Sequence, residues 1–232
     1  MTPAMEGARN YFTWIHEAIA PHVKGRVLEV GSGFGIFSDV LAAKHPLLAT
    51  DQDERALEVL SRRFASNAGV RVARLDILDE ASVRALAAKE TVETVVSLNV
   101  LEHLEDDVLA LEHMARLVGP GGRVIAFVPA LESLYGSLDR LAGHFRRYDR
   151  PLLERRLRAA GLRPLAFRFF NMVGALGWYV NACVVPQTRL DAASVNGQAR
   201  IYDRYVVRFA SALERWIDPP FGQSMVAVSE RP

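Results

Sequence analysis

The first two-thirds of the chain alternates short apolar runs with segments of helical periodicity. Such alternation is typical of βα units around a parallel sheet. The apolar runs predict strands over Val27–Gly31, Leu47–Thr50, Val70–Leu75, Val92–Leu98 and Arg123–Val128. The intervening patterns predict helices over Ile36–Lys44, Glu54–Ser66 and Asp106–Leu117, the last of which ends before the breaker cluster GPGG.

The pattern is less regular after residue 130. A polar and aromatic loop precedes a predicted helix over Pro151–Ala160, and Leu165–Phe170 and Met225–Ser229 predict two more strands. Between these strands lie an uncharged stretch, Phe169–Thr188, and a helical pattern over Arg200–Trp216. An insertion of this size predicts a functional cap or a dimerisation element. We therefore expect one doubly wound, Rossmann-like α/β domain over residues 1–232, with a seven-stranded, mostly parallel sheet and a helical cap between its last two strands.

Composition and charge narrow the classes of function. The 232 residues are 50% hydrophobic and 24% charged, which fits a globular domain. A net charge of +1 gives no general attraction to nucleic acid, and a single cysteine, Cys183, rules out a disulfide framework. The start of the chain is amphipathic and does not resemble a secretory signal, so we expect a cytoplasmic monomer or homodimer.

The uncharged stretch is long enough to cross a membrane, which takes roughly 20 predominantly apolar residues. Asn171, Asn181 and Gln187 argue against a span because amides are costly in hydrocarbon. We expect no stable span, whereas peripheral contact with a membrane stays open.

The glycines of VLEVGSGFGIFSDVLA predict a strand-to-helix turn that approaches a ligand. A dinucleotide-binding loop has the pattern G-x-G-x-x-G, but here the third glycine comes one residue early and Ile36 takes its place. The lysine-containing end of a phosphate-binding loop is also absent. Both phosphate-binding patterns are therefore disfavoured.

Two carboxylates extend the predicted site along the sheet edge. Asp51 ends the second strand, where it can accept hydrogen bonds from both hydroxyls of a ribose. Asp76 ends the third strand, where it can accept from an adenine amino group while Ile77 packs on the ring. Because the carboxyl ends of parallel strands form the ligand-binding edge of such sheets, these residues together predict an adenosine site.

With these features the chain resembles the class I S-adenosylmethionine-dependent methyltransferases, of the bacterial small-molecule type. The segments LEVGSGFG, ATDQDERAL, RLDIL, VVSLNVLEHLEDD and GPGGRVIAFVPA are similar, in that order, to the motifs of this family. The resemblance implies S-adenosylmethionine as the cofactor and S-adenosylhomocysteine as its product. It divides the chain into a helix over the cofactor (1–24), a cofactor-binding core (25–130), an active-site loop (131–150) and the cap (171–217).

The resemblance also implies which residues bind the cofactor. Tyr11 and Trp14, on the first helix, would close over it, although packing of that helix against the sheet explains them equally well. The implied cofactor-binding residues are Tyr11, Trp14, Glu29, Gly31, Ser32, Gly33, Gly35, Asp51, Gln52, Asp76, Ile77, Asn99 and Leu101.

Two segments supply candidates for catalysis. NVLEHLEDD places Glu102 and His103 past the fourth strand; in the quinone-biosynthesis O-methyltransferases a similar segment, with one more acidic residue upstream, is associated with a divalent metal. Asn99 stands at that upstream position here, so we expect no metal. The loop containing GHFRRYD offers His144 as a base near neutral pH. The predicted catalytic residues are His144, His103 and Tyr148.

The same loop and the cap supply candidates for substrate binding. The two arginines of the loop can clamp an anionic group or can form structural ion pairs with Asp139 and Asp149. The apolar cap fits a lid over the acceptor, a dimer helix or an edge that touches a membrane. The predicted substrate-binding residues are Tyr135, Arg146, Arg147, Asn171 and Trp178.

The sequence thus predicts methyl transfer to an oxygen, or a nitrogen, of a small hydrophobic or aromatic molecule, with neither nucleic acid nor protein as the acceptor. Three alternatives stay open. The acceptor is lipid-linked or a sugar at a membrane surface, the chain is a non-catalytic cofactor-binding module, or it is a nicotinamide-dependent dehydrogenase. The displaced third glycine counts against the last of these.

Overall fold

The computed structural model describes residues 8–184 and 202–232, in which seven strands form one sheet. Residues 1–7 of the predicted first helix and residues 185–201 of the predicted cap lie outside these ranges. The strands are β1 (Val27–Val30), β2 (Leu47–Asp51), β3 (Val70–Arg74), β4 (Val92–Leu98), β5 (Val118–Pro129), β6 (Arg163–Phe170) and β7 (Ser224–Glu230).

The strand order is β3-β2-β1-β4-β5-β7-β6. Strands β1 to β5 pair in parallel, whereas β7 runs antiparallel between β5 and β6. The predicted doubly wound, mostly parallel sheet is therefore confirmed. After β3 the chain crosses back over the sheet and forms β4 on the other side of β1. The carboxyl ends of β1 and β4 therefore flank the crevice in which sheets of this type bind ligands.

The described helices follow the strands in the expected alternation. Four of them begin at an aspartate whose carboxylate accepts backbone N–H bonds of the first turn, at Asp53, Asp79, Asp106 and Asp149. The helices are α1 (Arg9–Ile19), α2 (Ile36–Ala42), α3 (Glu54–Arg63), α4 (Glu80–Ala87), α5 (Asp107–Leu117), α6 (Ser137–Ala142), α7 (Arg150–Ala159), α8 (Met172–Tyr179) and α9 (Val207–Glu214). Two π-helical turns, Val180–Val184 and Tyr202–Val206, adjoin α8 and α9. Within the described ranges, no helix is both long and apolar enough for a membrane crossing.

Both faces of the sheet are covered. Leu28 and Val95 belong to a core cluster that includes Leu111 of α5, whereas their neighbours Val27 and Val96 belong to a second cluster on the other face. Successive strand residues point to opposite faces, so continuous apolar runs such as VETVVSL are what a doubly covered sheet requires.

The structure departs from the predicted elements in three places. Helix α4 was not predicted, because its apolar side consists mainly of Val83 and Leu86 and its sequence is otherwise small and polar. Strand β5 begins at Val118, before the predicted Arg123, since the GPGG cluster interrupts the pairing with β4 without ending the strand. The predicted loop 131–150 contains the short helix α6.

Candidate active site

A tight turn joins β1 to α2 at the edge of the sheet. Gly31, Gly33 and Gly35 all have positive φ, of 71°, 54° and 83°. Side chains rarely adopt this conformation, and a Cβ at Gly31 would lie 2.7 Å from a methyl carbon of Val100. The turn therefore keeps its backbone free of side-chain bulk at the position where the sequence predicts the cofactor.

A buried polar network holds this turn from below. The Glu29 carboxylate accepts hydrogen bonds from Ser38 Oγ at 2.5 Å and Ser32 Oγ at 2.9 Å, and Thr50 N donates to Ser32 Oγ at 3.1 Å. Burial raises the pKa of Glu29 to about 7, although the two serine hydrogen bonds act in the opposite direction. Glu29 and Ser32 thus fix the turn, and both are almost completely buried.

Asp51 and Asp76 lie at the same edge and are partly exposed. The two oxygens of Asp51 accept from Gly33 N at 2.8 Å and from Asp53 N at 2.9 Å, and Asp76 Oδ1 accepts from Leu78 N at 3.0 Å. Within the described ranges neither carboxylate forms an ion pair, so both retain acceptor capacity for a ligand. These acceptors fit the hydroxyls and the amino group of an adenosine.

A cavity of about 300 Å³ adjoins this edge on the side of β4, β5 and the cap. Six of the predicted site residues line it: Tyr11, Asn99, His144, Arg147, Asn171 and Trp178. Its other lining residues are Ala8, Glu102, Pro129, Tyr202, Asp203, Gln223 and Ser224. Elements from both ends of the chain therefore meet here.

His144 is held in this cavity by a carboxylate and a hydroxyl. Its Nδ1 lies 2.8 Å from Asp139 Oδ1, and its backbone carbonyl accepts from Tyr135 Oη at 2.7 Å. Burial alone would raise the pKa of Asp139, but hydrogen bonds from His144 and Arg147 hold it below its ordinary value. An ionised Asp139 fixes the proton on Nδ1 and leaves Nε2 of His144 as the acceptor.

Arg147 forms part of the cavity wall. Its Nε donates to Asp139 at 2.9 Å, one of its terminal nitrogens donates to the Ala130 carbonyl at 3.1 Å, and its guanidinium lies 4.6 Å from the ring centre of Trp178. The side chain is completely buried. It therefore braces Asp139 and the aromatic wall, which agrees with the structural ion pair weighed from the sequence.

Glu102 is the least compensated polar group of the cavity. It is 1% exposed, and neither carboxylate oxygen has a hydrogen-bond partner among the described residues. Burial raises the pKa of Glu102 to about 8. Glu102 is next to His103 in the sequence but is not among the predicted site residues.

His103 lies next to His144, with ring centres 4.7 Å apart. Burial and the neighbouring His144 lower the pKa of His103. Glu102, His103 and His144 each have one atom able to ligate a metal, and these three atoms lie within 4.8 Å of one another. We call these residues the three-donor cluster. His144 reaches this cluster from a loop that is distant in the sequence, whereas the expectation of no metal rests on Asn99; the absence of a metal therefore stays a prediction.

The structure corrects the expectation for Tyr148 and Arg146. Tyr148 is completely buried away from the cavity, and its hydroxyl donates to Asp107 Oδ2 at 2.9 Å. Burial and Asp107 raise its pKa, so it is poorly suited to proton transfer. Arg146 donates to the Leu104 and Glu105 carbonyls and pairs with Asp107 at 3.0 Å. Both side chains anchor the active-site loop, and neither lines the cavity.

Five other predicted residues lie outside the cavity lining. Leu101 is fully buried in the core, and Trp14 stacks on Phe170 with ring centres 4.0 Å apart. Trp14 therefore packs its helix against the sheet, which is the second of the two explanations given for it above. The Tyr135 hydroxyl donates to the backbone carbonyl of His144. Gln52 is exposed beside Asp51. Ile77 is buried, and its carbonyl lies 2.7 Å from His113 Nδ1.

Asn171 links the cap to the sheet. It has a positive φ of 63° and begins α8, where its Oδ1 accepts from Gly174 N at 2.9 Å and from Tyr202 Oη at 2.8 Å. Its Nδ2 donates to Gln223 Oε1 at 2.9 Å. The side chain thus positions the cavity wall, and its amide has few free hydrogen-bonding positions for an acceptor.

Comparison with known proteins agrees with the fold and the adenosine-type edge. The family described as "Methyltransferase domain" matches residues 28–124. The ubiquinone biosynthesis O-methyltransferase of Ralstonia nicotianae is 32% identical over 171 residues, which make up 67% of this chain and 69% of that protein. The enzyme of the same name from Paracidovorax citrulli is 37% identical over 115 residues, but this match spans 48% of the chain and only 46% of the relative.

A solved structure shows the same architecture. The SAM-dependent methyltransferase of Archaeoglobus fulgidus superimposes with a TM-score of 0.60 at 17% identity, covering 96% of this chain and 94% of that one. At this identity the likeness concerns the fold alone. The sequence match to the Ralstonia enzyme carries the assignment of family, and the glycine turn with its two carboxylates fits the cofactor. The chain therefore belongs to the class I S-adenosylmethionine-dependent methyltransferases.

Proposed function

We propose that this chain methylates a hydroxyl oxygen of a small, partly apolar molecule held in the 300 Å³ cavity, and that His144 takes the hydroxyl proton. The observation that carries the proposal is the Asp139–His144 pair, 2.8 Å apart, in the wall of that cavity. A carboxylate-oriented imidazole whose second nitrogen has no hydrogen-bond partner among the described residues is a general base suited to neutral pH.

The glycine turn, Asp51 and Asp76 would hold the cofactor. When bound, S-adenosylmethionine supplies the methyl carbon, whose bond to sulfur breaks as its bond to the acceptor oxygen forms. The chain has to align the acceptor, exclude water and remove one proton. Nε2 of His144 accepts that proton, and the ionised Asp139 stabilises the resulting imidazolium.

The cavity walls indicate the kind of acceptor. Tyr11, Trp178 and Tyr202 supply aromatic surface, whereas Asn99 and the protonated Glu102 supply polar contacts. The volume lies at the lower end of small-molecule sites, roughly 300 to 1,000 Å³. A compact aromatic or cyclic molecule with at least two polar substituents matches these walls, one substituent facing His144 and another facing Glu102.

The relatives named as ubiquinone biosynthesis O-methyltransferases favour oxygen over nitrogen as the methylated atom. That preference is an inference from their names and does not identify this acceptor. A cytoplasmic location, and a monomer or homodimer as the working form, remain predictions.

The test is methyl transfer from radiolabelled cofactor to a panel of phenols and cyclic alcohols by wild type, His144→Gln and the control His22→Gln. We expect His144→Gln to lose about 10² to 10⁴ in kcat, the usual contribution of a general base, and to bind S-adenosylhomocysteine as wild type does. His22→Gln should match wild type in both assays.

Three results would contradict the proposal. Unchanged kcat in His144→Gln would remove the base, and exclusive labelling of amines would remove the hydroxyl acceptor. Tight S-adenosylhomocysteine binding without transfer to any acceptor would favour the non-catalytic binding module.

A further inference from the structure

The turn Tyr202–Val206 and helix α9 bury one side and expose the other. Asp203, Val207, Ala210 and Glu214 are buried, and this spacing of four, three and four residues marks one side of a helix. On the opposite side three aromatic residues are exposed: Tyr205 at 62%, Phe209 at 65% and Trp216 at 90%. Large aromatic side chains at such exposure are uncommon on a protein surface that has no partner.

The exposed charges on this segment are all positive. Arg204, Arg208 and Arg215 are exposed, whereas the two acidic side chains of the segment point inward. Arg215 pairs with Glu17 of α1 at 3.1 Å, so Arg204 and Arg208 carry the positive charge that no ion pair among the described residues offsets. Asp203 accepts from Tyr11 N at 2.8 Å, and Glu214 accepts from Met172 N at 2.7 Å. We define the outer face of α9 as Arg204, Tyr205, Arg208, Phe209, Arg215 and Trp216.

A neighbouring surface is also apolar. Leu176, Tyr179, Val180 and Val184 are exposed on α8 and its π-helical turn, and residues 172–184 contain no charged side chain. Glu214 joins the start of α8 to the end of α9 through its hydrogen bonds to the Asn171 and Met172 amides. Both exposed surfaces therefore belong to one packed unit.

The chemistry of the outer face distinguishes between two occupants. A two-fold dimer would place identical patches against each other and so bring the arginines of both copies into one interface, to which the segment contributes no exposed acidic side chain. An anionic lipid surface offers the opposite charge, and tyrosine and tryptophan favour the boundary between headgroups and acyl chains. A helix that combines basic with aromatic positions is typical of peripheral membrane binding.

We propose that the outer face of α9 docks this protein on anionic phospholipid bilayers. Arg204 and Arg208 contact the headgroups, and Phe209 and Trp216 insert at their level. The docking needs neither the cofactor nor the acceptor, so it is independent of the proposed reaction.

The experiment is co-sedimentation of the full chain with vesicles of phosphatidylcholine alone or with one-quarter phosphatidylglycerol, at low and high salt. We expect binding to the anionic vesicles that weakens with salt. Arg204→Gln/Arg208→Gln should reduce the partition coefficient about thirtyfold, on the basis of roughly fivefold for each cation. Phe209→Ser/Trp216→Ser should reduce it at least as much.

Matched controls separate the outer face from general charge and apolarity. Arg62→Gln/Arg84→Gln changes two arginines of α3 and α4 whose side chains are 75% and 74% exposed, and Leu165→Ser changes an exposed residue of β6. Each control should bind vesicles within twofold of wild type. S-adenosylhomocysteine binding and the thermal midpoint verify that every variant is folded.

Three outcomes would overturn the proposal: no binding to anionic vesicles, equal binding to neutral ones, or unchanged binding of both outer-face variants. A wild-type dimer that Phe209→Ser/Trp216→Ser converts to a monomer, without vesicle binding, would assign the face to a second copy of the chain.

Discussion

The variant Glu102→Gln should become progressively more stable than the wild type as the pH rises. In the folded protein burial raises the pKa of Glu102 to about 8, whereas the ordinary value is 4.5. Between these values the unfolded chain has already released the proton that the folded chain still holds. The contribution of the protonated Glu102 to the free energy of unfolding is therefore fully present below pH 4.5 and is lost as the pH approaches 8. Glutamine has the same shape but no proton to lose.

The size of the effect follows from the burial of the carboxyl group. Each pKa unit corresponds to about 1.4 kcal/mol, so from pH 5 to pH 8 the wild type should lose about 4 kcal/mol relative to the glutamine variant. Glu102 is 1% exposed and its oxygens have no partner among the described residues, so solvent screening reduces this value little. A loss of this size is a large fraction of a typical 5–15 kcal/mol domain stability.

Urea unfolding at several pH values between 5 and 8, followed by tryptophan fluorescence, measures the difference. Because Glu29 and the histidines outside the three-donor cluster are the same in both proteins, their own titrations cancel in the comparison. Glu58→Gln, on an exposed site with 73% of its side chain accessible, should give a curve parallel to that of wild type. Parallel curves for Glu102→Gln as well would refute the assignment of a buried, uncompensated carboxyl group.

Three further predictions concern the cofactor edge, the loop and metals. Asp51→Ala should weaken S-adenosylhomocysteine binding at least tenfold in calorimetry, since it removes the ribose acceptor, and equal weakening by the control Glu58→Ala, an exposed carboxylate of α3, would argue against that role. Tyr148→Phe should lower the free energy of unfolding by about 1 kcal/mol, through loss of the bond to Asp107, and leave kcat unchanged; a collapse of kcat would restore a catalytic tyrosine. Dialysis against EDTA should leave methyl transfer intact, whereas loss that a divalent cation restores would make the three-donor cluster a metal site.

The cofactor edge could be predicted from the sequence because its evidence is local. Gly31 follows an apolar strand directly, and Asp51 and Asp76 each end a strand, so the order of elements alone brings them to one edge. The same local logic gave the boundaries of β4, which the structure reproduces as Val92–Leu98. Helix α4 was missed because two apolar positions are too few to reveal a period.

The cavity could be predicted only in part because its walls depend on distant contacts. Gln223 and Ser224 reach it from the start of β7, and nothing in their own segment indicates a ligand site. Tyr148 and His144 lie in the same polar loop, and the local sequence does not show which of them faces the cavity. Only the packing determines that Tyr148 contacts Asp107 and that His144 contacts Asp139. The inward direction of Glu102 likewise follows from the short 3₁₀ turn after β4.

The cap lies between two residues that are themselves partners in the sheet. Phe170, the last residue of β6, pairs with Ser224, the first residue of β7. The sheet thus presents a fixed pair of attachment points, whose register is held by the pairing of β6 with β7. This arrangement makes the cap an exchangeable module: a segment transplanted between those two points from a relative would bring a new acceptor wall to an unchanged methyl-donor site.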